Sequence, residues 1–162
     1  MTSPTDRQRV EMALPVLMLW TALRAGVDAE RYPDDFARAD AAFRAADDAL
    51  WCDLPEARAH KLRRRVLRLH QSILDDHARE DVPIAKTAMI AVHLLQSCVA
   101  AGFLIVPEGG PLDTAVAAML EALVEHVDTP LWASARKQAR KTLARLQREH
   151  GLYQGVAFQE AA

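Results

Sequence analysis

"KTAMIAVHLLQSCVAAGFLIV", residues 86–106, is the most apolar long run in the chain, and His93, Gln96, Ser97 and Cys98 sit inside it. At 3.6 residues per turn its apolar side chains cover most of the circumference, the mark of a helix enclosed by others. Lys86, His93, Gln96 and Ser97 share one stripe, about a quarter of the circumference wide. That stripe predicts a narrow opening to water, with Cys98 off it in the core. The run approaches the roughly twenty apolar residues that cross a bilayer. His93 and Gln96 at its centre and Lys86 at one end argue against a membrane span.

Prolines organise the rest. Pro4, Pro33, Pro55, Pro83, Pro111 and Pro130 each stand at the start of a helical pattern, where a missing N–H costs nothing. Ser3, Asp53, Asp81 and Asp128 or Thr129 precede them as capping residues, and Asp53 with Glu56 has capping-box spacing. The expected helices cover about 4–25, 33–51, 54–79, 82–105, 111–127 and 129–150. Sustained period-2 alternation is missing, so no sheet is expected. The fold class is all-α: a single-domain bundle of six helices over 1–150, with the first and fourth helices central. Residues 151–162 form a C-terminal tail whose Leu152, Tyr153, Val156 and Phe158 predict partial docking. "VPEGGP" at 106–111 is a loop. Pro15, inside the first helix, predicts a kink or break there, because it removes a hydrogen bond to the Glu11 carbonyl.

Faces follow from periodicity. The third helix turns Leu62, Val66, Leu69 and Ile73 inward, with His70 and His77 between that line and Leu67 and Leu74. The second buries an alanine-rich face beside Phe36, Phe43 and Leu50. The sixth buries Trp132, Ala135, Ala139, Leu143 and Leu146 and leaves its basic residues in solvent.

The composition, 51% hydrophobic and 26% charged over 162 residues, is that of one globular domain. Two cysteines with no CxxC spacing point to a reducing, cytoplasmic setting rather than to disulfides or a cysteine zinc site. The apolar stretch after Pro15 lacks the flanks of a signal peptide.

Binding sites are sought among three groups. His70, His77 and His93, with Gln96 and Ser97, are expected to line a mostly apolar groove floored by the fourth helix. His70 and His77 lie about 10.5 Å apart along the axis. They need a further ligand to hold a metal or haem, and no ExxH, HExxH or HxxxH spacing supplies one. No cofactor and no metal is therefore assigned. Second, residues 56–72 carry six basic and one acidic side chain, and 128–150 six basic and two acidic, against eight acidic and three basic at 28–53. Lys61, Arg64, Arg65, Arg68, Lys137, Arg140, Lys141, Arg145 and Arg148 form the candidate surface for a protein partner or a nucleic acid. Third, Asp75, Asp76, Glu80 and Asp81 with Glu121, Glu125 and Asp128 suit Mg²⁺-dependent diphosphate chemistry only if the two groups face each other. Phosphate-binding glycine patterns and nucleophile elbows are missing, and no catalytic residue is assigned. The leading expectation is a non-enzymatic interaction or regulatory module for a protein partner or a small apolar ligand, with self-association as a further possibility.

Overall fold

The computed structural model describes residues 4–26, 29–79, 84–101, 111–126 and 129–158. Six helices account for nearly all of them: α1 Asp6–Gly26, α2 Pro33–Trp51, α3 Glu56–Arg79, α4 Ile84–Ala101, α5 Pro111–His126 and α6 Thr129–His150. No strand occurs among the described residues. Proline-led starts recur where the sequence places them, at Pro33 and Pro111. Residues 106–110 of the expected loop and the caps at Asp81 and Asp128 lie outside the described residues, as does the side chain of Trp132.

The hub is α1, which packs against α2, α3, α4 and α5; α4 packs against α1 and α6, and α2 against α5. This arrangement follows from hydrophobicity. Helix α1 is buried over Val10, Met12, Leu14, Met18, Leu19 and Leu23, and α4 from Thr87 through Leu95. Neither has a polar face to give to water. Helix α2 presents Ala39, Ala42 and Ala46, whose small side chains let it approach its neighbours. Phe43 stacks on Trp20 of α1 with ring centroids 5.2 Å apart, and Phe36 meets the same indole at 6.1 Å.

The entry of α1 is fixed by one residue. Arg9, buried, donates to the Leu50 carbonyl at 2.6 Å and to both oxygens of Asp53 at 2.9 and 2.7 Å. These bonds hold the Asp53 carboxyl below the usual carboxylate range. They also revise the expected capping box, since both Asp53 oxygens are engaged by Arg9. Ion pairs from Arg58 to Asp6 and from Arg63 to Asp47 tie α3 to α1 and α2.

Pro15 does not break α1, which runs continuously from Asp6 to Gly26 with buried residues on both sides of the proline. The carbonyl left without its helical donor is Glu11, four residues back. The hydroxyl of Tyr153 donates to it at 2.7 Å. The C-terminal tail thus fills the gap made by the proline. Gly151, at φ 66°, stops α6, and the Leu152 N–H turns back to the Leu146 carbonyl at 3.1 Å. Tyr153, itself at φ 58°, also donates its N–H to the Glu11 carboxylate. The Gln147 amide holds the Tyr153 and Val156 carbonyls at 2.9 Å each. Leu152, Tyr153 and Val156 are buried by this return.

The tail also narrows the opening to water expected on α4, covering its His93. His93 and Ser97 are each only 1% exposed. Phe158 lies 5.8 Å from the His93 ring, and Arg140 of α6 stands 5.2 Å over Phe158. Of the polar stripe only Gln96 is exposed, while Lys86 is half-buried.

Candidate functional site

A cavity of about 330 Å³ opens between α3 and α6. Ile73, Asp76 and His77 form its α3 wall, and Gln138, Lys141, Thr142, Ala144, Arg145 and Arg148 its α6 wall. Both helices are amphipathic and lay their apolar stripes on the bundle, so their polar flanks meet at this seam. Arg145 spans it. Its guanidinium donates to Asp76 and Ser72 on α3 and to Glu149 on its own helix at 3.0 Å. That contact holds Glu149 below the usual carboxylate range.

The three histidines are buried but share no groove. His77 belongs to the cleft wall, and its Nδ1 lies 3.4 Å from the Thr87 hydroxyl of α4. His70, one helix heptad earlier, is enclosed, and its Nε2 has no hydrogen-bond partner. Burial holds the His70 pKa below 6.5, assisted by the charge of His77. His93 sits under Phe158. Sequence periodicity therefore identifies inward positions, yet the tail and α6, far away in sequence, divide them among separate surroundings. Among the described residues no group of three or more His, Cys, Asp and Glu is placed to hold a metal ion.

The basic residues are more coherent. Lys61, Arg64 and Arg68 are exposed along α3, as are Lys137, Arg140, Lys141 and Arg148 along α6. Arg65 and Arg145 are half-buried. The helical period sets Lys61, Arg64 and Arg68 along one stripe of α3, and Lys141, Arg145 and Arg148 along one stripe of α6. Among the described residues, Lys61, Arg64, Arg68 and Lys137 pair with no carboxylate, whereas Arg63 and Arg58 are spent on α2 and α1. Arg140 covers Phe158 instead of joining this row.

Of the candidate carboxylate groups only Asp75, Asp76 and Glu121 are described, and Glu121 is exposed on α5. Asp76 is taken by Arg145 and Asp75 accepts from Gln71 at 2.9 Å. Glu80, Asp81 and Asp128 lie outside the described residues, as does the Glu125 side chain.

A further groove of about 200 Å³ lies between α2 and α3 over α1, with Leu17, Phe43, Trp51 and Leu67 on its walls. Leu67 is 54% exposed, not tucked beside the core stripe. Arg63 crosses this groove, over the Trp51 ring at 5.8 Å and to Asp47 at 3.0 Å.

A buried polar cluster missed by periodicity lies at the tail: Glu11, Tyr153 and Cys98. Burial raises the Glu11 carboxyl above its ordinary 4.5, although the Tyr153 N–H and the charges of Arg7 and Arg65 pull it down. Burial also pushes the Cys98 thiol and the Tyr153 phenol well above their ordinary values. A raised thiol is a poor nucleophile, so Cys98 acts as a core residue. The single Glu11 amid apolar α1 neighbours is the one signal in sequence for this cluster.

Comparison with known protein families, with curated proteins and with solved structures finds no match to this chain. Among the described residues no helix is long and apolar enough to cross a membrane.

Proposed function

We propose that the chain is a non-enzymatic interaction module that engages an acidic protein partner through the outer face of α3 and α6. The supporting observation is the row of exposed cations Lys61, Arg64 and Arg68, which pair with no carboxylate among the described residues, beside the exposed Lys137, Lys141 and Arg148 of α6. Exposed cations gathered on one helix face of a protein with net charge −2 concentrate field there and steer acidic surfaces to it. A cytoplasmic setting accords with Cys52 and Cys98 being unpaired thiols.

A nucleic acid is the second reading, favoured by the same charges. Two observations weigh towards protein. Asp75, Asp76 and Glu149 interrupt the basic surface, and no Phe, Tyr or Trp stands exposed on α3 or α6 among the described residues to stack on bases.

The test compares the native chain with Arg64→Glu/Arg68→Glu in affinity capture from the source cell, followed by binding measurements on the purified partner. An acidic protein bound by the native chain, released by salt and lost on charge reversal, is the expected result. A partner that binds the reversed chain equally well overturns this reading. Duplex DNA or RNA bound with affinity falling steeply in salt replaces it with the nucleic-acid one.

A further inference from the structure

We propose that the acidic surface docking on α3 is α2 of a second copy of this chain, the two copies forming a two-fold dimer over the α2/α3 groove. The proposal rests on the reading of α3 as a row that takes an acidic protein, and it names that protein.

The groove supplies the apolar part. Helices α2 and α3 both rest on α1, and the groove of about 200 Å³ between them is apolar except for Asp47 and Arg63. Leu67 stands on its α3 rim, mostly in water, although the same helix buries Leu62, Val66, Leu69 and Ile73. Phe43, half-buried, stands on the α2 rim. An exposed leucine is ordinary by itself; beside an apolar groove it gives an arriving surface something to bury.

Charge selects the occupant. Asp47 meets Arg63 at 3.0 Å, and one turn earlier on α2 and one turn later on α3 stand Phe43 and Leu67, lining the same groove. The two helices therefore run antiparallel past the groove, with residues 40–51 level with residues 60–71. The α2 segment holds three carboxylates, Asp40, Asp47 and Asp48, and one cation, Arg44; the α3 segment holds five cations and no carboxylate. Asp40 pairs with Arg44 and Asp47 with Arg63, and the two segments still keep opposite net charge.

A two-fold axis laid along the groove stacks α2 of each copy on α3 of the other and keeps every residue at its own level. Leu67 of one copy then comes over the groove at the level of Phe43 of the other, and Arg64 and Arg68 come over the segment from Asp40 to Asp48. An axis across the groove sets α2 on α2 and α3 on α3, opposing like charges, so the first arrangement is selected. A second copy satisfies both rims at once, whereas an evenly acidic partner laid over the groove meets repulsion from α2.

Sedimentation equilibrium of the full chain over about a hundredfold range of concentration tests the dimer. A monomer–dimer equilibrium is expected. Leu67→Glu should weaken it by about tenfold or more, while its unfolding in dilute solution stays close to that of the native chain, because residue 67 is already in water. Arg64→Glu/Arg68→Glu and Asp40→Arg/Asp48→Arg should each be monomeric alone, and an equimolar mixture of the two should recover a one-to-one heterodimer. Adding Leu67→Glu to both should abolish that heterodimer, which separates docking at the groove from general attraction between oppositely charged chains. A native chain that stays monomeric throughout overturns the proposal and leaves α3 to a foreign acidic protein, which the capture experiment reads separately. A dimer indifferent to Leu67→Glu, or charge variants that fail to pair on mixing, overturns it equally.

Discussion

Glu11 and His70 are both buried ionisable groups, and they bend stability in opposite directions. Glu11 is 1% exposed, and its raised pKa means that the folded chain holds the proton more tightly than the unfolded chain does. Its contribution is therefore complete below 4.5 and is lost as pH rises from there through the folded-state value. Glu11→Gln keeps an acceptor for the Tyr153 N–H and removes the ionisation. Denaturant unfolding between pH 4 and 8 should show the variant gaining on the native chain towards neutrality, by about 1 kcal/mol. Parallel curves would mean that Glu11 does not titrate in this range. His70 has the reverse sign. Its pKa is depressed, so its contribution is complete above 6.5 and falls away as pH drops below that value towards the folded-state pKa. His70→Leu also removes the unpartnered Nε2 and should raise neutral-pH stability by about 1 kcal/mol while flattening the acid limb. An acid limb unchanged in this variant excludes His70 as its source. The Glu11 window opens upward from 4.5 and the His70 window downward from 6.5, so the single variants are needed to separate them.

The first helix and the tail form one unit, because a proline opens a position that a distant tyrosine closes. In the native chain, Tyr153→Phe strands the buried Glu11 carbonyl and should cost about 1–3 kcal/mol. Pro15→Ala restores the N–H that α1 lacks, giving that carbonyl a partner inside its own helix. In the Pro15→Ala background the same Tyr153→Phe change should cost much less, a coupling of about 1 kcal/mol in a double-mutant cycle. Additive effects would show that the hydroxyl stabilises by some other route. Helix starts, the all-helical class and the central roles of α1 and α4 were all legible in the sequence. Proline position and hydrophobic circumference are local properties that packing leaves intact. The outcome at Pro15 was not legible, since its compensation comes from residue 153, nor was the closure over His93, which depends on Phe158. For the same reason the cleft could be approached only in part. Its cations could be read as a basic face of α6, but the meeting with Asp76 and His77 belongs to tertiary structure.

At the scale of the molecule, the packing around α1 determines how damage spreads. A helix that touches four others couples them, so a cavity in α1 loosens α2, α3, α4 and α5 together. Leu19 is fully buried there, and Leu19→Ala should cost about 2–5 kcal/mol, a large share of the roughly 5–15 kcal/mol that holds a domain together. Leu67, on the rim of the α2/α3 groove, is already mostly in water, and Leu67→Ala should change stability by less than about 0.5 kcal/mol. Denaturant unfolding gives the two magnitudes, and native-state hydrogen exchange shows their reach. Protection in Leu19→Ala should fall by a common amount across the slowest amides of the four partner helices, because these amides exchange through global opening. Protection lost from α1 alone would make it a replaceable element instead of the hub.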